Sequence, residues 1–210
     1  MNTLVEHDFN AFPQYIIEAL RKAKLGRRKY QQTAVSKAIN ILTGGNNAEI
    51  TLPPGTGKTL ISQIIGCVWL NSINSHSKIL TVLPSRPLSA QHFQHITYWA
   101  GVAGLCKPLL LSSIFFSKRN LIHGAYLAKS NYWFTLPEIF LNKIGTYITP
   151  RFLNEIDLVI IDEYDAFSIG VLRDFGYSHE FSKDLNNLMD LFDFSRQRFL
   201  LLSATPISTK

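Results

Sequence analysis

Ile50-Thr51-Leu52-Pro53-Pro54-Gly55-Thr56-Gly57-Lys58-Thr59 is the stretch on which the fold turns. A short β-rich run ends at Leu52, prolines and glycines follow, and from about residue 57 to 72 apolar residues recur at helical spacing. Between a strand and a helix, such glycines let backbone N–H groups turn inward on phosphate oxygens, and the helix N-terminus adds its positive dipole. Lys58 can reach β- and γ-phosphates, and the Thr59 hydroxyl can hold Mg²⁺. Pro54, Gly55, Thr56, Gly57, Lys58 and Thr59 are therefore the expected ATP cradle, with Lys58 on an exposed loop. The strict pattern G-x-x-x-x-G-K-[ST] would place glycine where Leu52 stands.

Further β-rich runs occur at Ile79–Leu83, Tyr132–Thr135, Leu158–Ile161 and Phe199–Leu202, several of them almost wholly apolar, as strands covered on both faces must be. Helix-length segments lie between them at about 85–99, 118–129, 137–148 and 181–194, and two more, 13–25 and 30–43, precede the first strand. This alternation predicts an α/β fold, a mostly parallel sheet with helices on both faces and its ligands at the strands' carboxyl ends. Asp162 and Glu163 follow the most apolar strand, so both carboxylates emerge at the edge that carries the phosphate loop. Asp162 suits a magnesium ligand, and Glu163 a base that orients or deprotonates an attacking water. The bland alternative is an acid cluster at a helix N-terminus.

The chain has 210 residues, enough for one domain with a full core and too few for two large ones. With 46% hydrophobic and 17% charged residues, it is neither disordered nor a coiled coil. No apolar run is long enough for a bilayer, and Glu6, Asp8 and Glu18 interrupt any signal-like start, so a soluble, cytoplasmic protein is expected, the nucleus remaining open. Two cysteines, Cys67 and Cys106, provide neither a disulfide framework nor a zinc site. The net charge is +6, and no acid lies between Glu49 and Glu138, a span that includes Lys58, Lys78, Arg86, Lys107, Lys118, Arg119 and Lys129. Such a distribution suits a phosphate backbone, or it is merely a quiet surface.

From Arg28 to Pro206 the residues resemble the superfamily 2 helicases and translocases. Arg28-Lys29-Tyr30-Gln31 is similar to the adenine-reading glutamine element, Leu52 to Thr59 to motif I, and Leu83-Pro84-Ser85-Arg86-Pro87-Leu88-Ser89-Ala90-Gln91 to motif Ia. Phe134-Thr135-Leu136-Pro137-Glu138 resembles motif Ib, Asp162-Glu163-Tyr164-Asp165 motif II and Ser203-Ala204-Thr205-Pro206 motif III. The resemblance implies a RecA-like P-loop lobe in which Gln31 recognises adenine, and in which Ser203 and Thr205 couple the nucleotide state to nucleic acid. It also implies that Ser85, Arg86 and Thr135 touch the sugar–phosphate backbone of DNA or RNA. Tyr164 departs from the Glu-Ala-Asp and Glu-Ala-His forms of motif II, which tilts the expectation towards DNA.

The expected organisation is one domain over 1–210, with leading helices in 1–45 and the core in 46–210. A second RecA-like lobe, with the arginine that completes the ATP site, is expected from a parent chain or another subunit. An AAA+ remodelling ATPase is the rival, opposed by Leu52, by Ser203-Ala204-Thr205 where a sensor asparagine belongs, and by the long gap between Lys58 and Asp162. A truncated, non-catalytic binding module is a third reading. His92 and His95 lack a nearby Cys or carboxylate in sequence to complete a ligand set, so they read as backbone contacts or surface.

Overall fold

Ile156–Ile161, the most apolar strand, is pinned between two others in the middle of a six-stranded sheet. The computed structural model describes residues 12–25, 28–112, 123–167 and 180–204. The strands are β1 (Ala48–Thr51), β2 (Lys78–Val82), β3 (Pro108–Leu110), β4 (Tyr132–Thr135), β5 (Ile156–Ile161) and β6 (Arg198–Ser203). They run in the order β1-β6-β5-β2-β4-β3, and every pairing is parallel.

Alternate residues of the strands fill two separate cores. Ile79, Tyr132, Phe134, Leu158, Ile160, Leu200 and Leu202 face α1 (Gln14–Lys22), α2 (Lys29–Thr43), α3 (Lys58–Val68) and α4 (Arg86–Ile96). Leu80, Val82, Trp133, Val159, Ile161 and Phe199 face the other way. They pack with α6 (Pro137–Leu141), α7 (Pro150–Asn154) and α8 (Glu180–Met189). Helix α5 (His123–Lys129) leads into β4. This two-sided burial explains why the strands are nearly continuous in apolar residues. Helix α3 lies so close to β4 that a Cβ on Gly66 would overlap the Tyr132 ring.

The structure departs from the expectations in three places. The segment 137–148 is helical only to Leu141, because the chain turns at Asn142 and Lys143 and passes through Gly145 at φ +77°. A new helix then starts at Pro150, where the Thr149 hydroxyl caps it by accepting from Phe152 N at 3.2 Å. Strand β3 was not anticipated: three residues beginning with proline carry little β signal, and the partner β4 supplies the ladder. Of the segment 118–129, residues 118–122 lie outside those described, and of 181–194 the helix occupies only the part up to Met189. Among the described residues, no helix is long and apolar enough to cross a membrane.

Strand order positions the site. Strand β6 stands between β1 and β5, so its end, Ser203, separates the loop after β1 from the loop after β5. Thr51 is in register with Ser203, and Ile161 with Leu201. The ends of β2 and β4 continue the same edge, with Val82 facing Ile161 on one side and Thr135 on the other.

Candidate nucleotide site and nucleic-acid face

The loop after β1 is held open by backbone conformations that side chains avoid. Gly55 and Gly57 have φ of +74° and +83°, and a Cβ on Gly57 would come within 2.7 Å of Gln31 Nε2. Gln31 opens α2 and reaches across to this loop. Its Nε2 donates to Thr56 O at 3.1 Å, while its Oε1 accepts from Arg28 N at 3.2 Å. Tyr30 donates to the same Thr56 carbonyl at 2.6 Å, a contact that nothing in the sequence motif announces. The glutamine element therefore buttresses the phosphate loop through its carbonyl.

Lys58 is not on an exposed loop as expected. It is the first residue of α3, only 7% exposed, and its Nζ donates to Leu52 O at 3.1 Å. A buried ammonium needs an acceptor, and the carbonyl of Leu52, where the strict pattern has glycine, supplies one. Pro54 and Gly55 lie exposed at the crest of the loop, and Thr59 is half-buried.

Asp162 is 2% exposed. Burial, reinforced by the neighbouring Glu163 charge, raises its pKa to about 7, against the opposing pull of the Glu163 backbone N–H and Lys58. Its Oδ1 accepts from Glu163 N at 2.9 Å. Glu163, half-buried, has φ +56°, a left-handed conformation that a non-glycine residue adopts at some cost in strain, in the position proposed for the base. Asp165 closes the group from below: its Oδ2 accepts from Ala204 N at 3.2 Å, binding motif II to motif III. Ser203 is fully buried and its carbonyl accepts from Leu52 N at 3.1 Å. Thr205 lies outside the described residues. Tyr164, where the common forms of motif II have alanine, packs against the core beneath the sheet.

The largest correction concerns His92. It is buried at 2% exposure, not at the surface, and a carboxylate does approach it. Its Nε2 lies 3.3 Å from Asp162 Oδ2 and 3.2 Å from Thr59 Oγ1. Burial, with His95 nearby, lowers its pKa to about 4, so at neutral pH the imidazole is uncharged and the approach to Asp162 is a hydrogen bond, not an ion pair. The signal was present as polar residues at matching helical spacings, Thr59 and Gln63 on α3 and His92 and His95 on α4. Sequence spacing gave no sign that the two helices lie side by side.

At the ends of β2 and β4 the expectations fare less evenly. Ser85 is the N-cap of α4, half-buried, and Arg86 is exposed. Thr135 is fully buried, and its hydroxyl donates to Leu136 O at 3.2 Å, so it presents nothing to a nucleic-acid backbone. The span free of acids in sequence is not free of them in space. Burial raises the Glu138 pKa, with the Asp184 charge adding to the rise and the Arg86 charge opposing it. Lys118 and Arg119 lie outside the described residues.

The donors present suit magnesium with a nucleotide better than a protein-only metal site. Among the described residues no group of three or more His, Cys, Asp or Glu gathers round one point. Thr59 Oγ1 and the desolvated Asp162 Oδ2 nevertheless both neighbour His92 Nε2, at 3.2 and 3.3 Å, and one hydroxyl with one carboxylate is a donor pair that suits a cation completed by waters and phosphate oxygens.

A parallel sheet with this loop after its first strand and these carboxylates after β5 defines a RecA-like P-loop lobe. The sequence profile of the DEAD/DEAH box helicases matches residues 28–210, and the chain belongs to that family. No curated protein matches it. Among solved structures, S. cerevisiae Dbp5 bound to RNA and ADP BeF3 superposes with a TM-score of 0.71 at 17% identity, over 95% of this chain and 46% of that one. Mss116 bound to ssRNA and UDP-BeF gives 0.74 at 20% identity, over 97% and 40%. The DUF1998 helicase MrfA gives 0.68 at 16%, over 93% and 29%. The chain thus spans less than half the length of these structures.

Proposed function

We propose that this lobe binds ATP with magnesium at the ends of β1, β5 and β6 and hydrolyses it in response to nucleic acid, once a second RecA-like lobe completes the cleft. The observation that carries this reading is that Thr59 Oγ1 and Asp162 Oδ2 both lie within 3.3 Å of His92 Nε2, with the Lys58 charge acting on Asp162, at the carboxyl edge of a parallel sheet. Thr59 and Asp162 would hold the magnesium, which when bound neutralises charge on the β- and γ-phosphates. Lys58 exchanges its carbonyl acceptor for phosphate oxygen. Gln31 uses one amide hydrogen and one lone pair on the protein backbone. The remaining donor and acceptor match the N7 and N6 edge of adenine. Glu163 takes the proton of the attacking water. Asp165, bonded to Ala204 N, and the adjoining Ser203, whose carbonyl holds Leu52 N, carry the change at the phosphate towards the nucleic-acid face.

Arg86 and Ser85 are the proposed backbone contacts. The RNA in the Dbp5 and Mss116 structures makes RNA the first ligand to try, whereas Tyr164 tilts the sequence reading towards DNA. ATPase assays of the chain paired with its second lobe, with single-stranded RNA, single-stranded DNA and neither, test the proposal. Stimulation by either strand supports it, and turnover indifferent to both contradicts it. If a second lobe supplies an arginine to the γ-phosphate, worth roughly 10³–10⁵ in related phosphoryl transfers, this lobe by itself should turn over poorly.

A further inference from the structure

We infer that His92 is a positioning residue of the magnesium site, tying Thr59 Oγ1 to Asp162 Oδ2 through its Nε2. This rests on the reading of Thr59 and Asp162 as the metal's protein ligands.

Nε2 of His92 is within 3.3 Å of both oxygens, one from the first turn of α3, which follows the loop after β1, and one from just after the end of β5. The two residues follow strands that do not pair with each other, β1 and β5, since β6 lies between them. The imidazole is thus a bridge between the two halves of the site. Nδ1 is buried with no hydrogen-bond partner. An unpaired lone pair there is tolerable and an unpaired N–H much less so, which places the proton on Nε2, between the two ligand oxygens. There it donates to Asp162 and leaves Thr59 and Asp162 lone pairs to spare for a cation.

The bridge has its own support. The His92 carbonyl accepts from Gln63 Nε2 at 3.1 Å, and Gln63 Oε1 accepts from Trp99 Nε1 at 2.9 Å and meets His95 Nδ1 at 2.7 Å. Gln63 is fully buried one turn after Thr59, so the contacts tie α3 to α4 along one seam. Outer partners of this kind fix ligand orientation, and losing one typically costs 10- to 100-fold in metal affinity.

The test is calorimetric titration of the full chain with ADP, in magnesium and in EDTA. In the unmutated chain magnesium should tighten ADP binding. His92→Leu, which keeps the volume and removes the donor, should lose about 10-fold of that magnesium-dependent gain while its affinity in EDTA is unchanged. His92→Gln, whose amide nitrogen can stand where Nε2 stands, should recover most of it. A His92→Leu chain with the full magnesium gain overturns the inference. If the unmutated chain gains nothing from magnesium, both the inference and the assignment of Thr59 and Asp162 fall together. A second readout needs no variant: side-chain ¹⁵N signals of His92 should show Nε2 protonated and Nδ1 bare. They should shift with magnesium and ADP but not with ADP in EDTA. Signals that ignore magnesium overturn the inference.

Discussion

The two halves of the sheet's carboxyl edge behave differently. At the ends of β1, β5 and β6, short motifs 104 residues apart (Lys58 to Asp162) fold into one set of buried polar side chains with specific partners. At the ends of β2 and β4, of the three proposed contacts, Arg86 is exposed, Ser85 is spent capping a helix and Thr135 is buried. A phosphate and a metal demand fixed geometry, and fixed geometry constrains residue type at every position. A nucleic-acid backbone can be met by many cationic surfaces, so residue type there says little about which side chain points outwards.

Breaking the nucleotide half should give the largest effects. With its second lobe supplied, Glu163→Gln should keep nucleotide binding and lose roughly 10²–10⁴ in hydrolysis rate, measured as single-turnover phosphate release. Near-normal release would remove Glu163 from the chemistry. Lys58→Ala should weaken ATP binding about 10- to 100-fold, the worth of a hydrogen bond to a charged group. It should cost only about 1 kcal/mol of fold stability, because a single bond to Leu52 O is lost.

Asp162→Asn should raise thermal stability of the nucleotide-free chain at pH 8, on the order of 2 kcal/mol, and the gain should vanish towards pH 4. The sign follows from the raised pKa. Between about 4 and 7 the native carboxyl holds a proton that the unfolded one has released, so stability falls as pH rises through that window and the penalty is complete above it. His92 slopes the other way. Its pKa is lowered, so its contribution is complete above about 6.5 and lost as pH falls towards 4. The unmutated chain should therefore have a flattened acid profile, and Asp162→Asn should expose the His92 slope. A variant that parallels the unmutated profile at all pH values would mean that the Asp162 carboxyl titrates alike in the native and unfolded chains, against the raised pKa.

The smallest expected effects belong to the other half of the edge. Arg86→Ala should weaken single-strand binding a few-fold for unrelated sequences, more at low salt than at high. Arg151→Ala, on an exposed helix before β5, should leave binding unchanged. Thr135→Val should leave it unchanged too, since the hydroxyl is buried. Equal losses from Arg86→Ala and Arg151→Ala would show that no track crosses the motif Ia edge.

The parallel sheet and five of its strands were legible because apolar runs at strand length have few other readings. Strand β3 was not, since Pro108–Leu110 becomes a strand only by pairing with β4. Lys58, Thr59, Asp162 and Glu163 could be placed at one edge from their motifs, but His92 could not. Its role depends on α4 lying against α3, a packing fact with no local signature. Asp165 was visible as part of a motif and its contact with Ala204 N was not, because only the strand order places β6 next to β5.

The most direct test of the central claim is a titration of the unmutated chain and Lys58→Ala with a non-hydrolysable ATP analogue in magnesium, with Arg151→Ala as the control. Binding should saturate at one site, with equal affinity in the unmutated and Arg151→Ala chains and at least 10-fold weaker in a folded Lys58→Ala chain. Binding of equal strength in all three would contradict it, because the nucleotide would then be held somewhere other than the loop after β1.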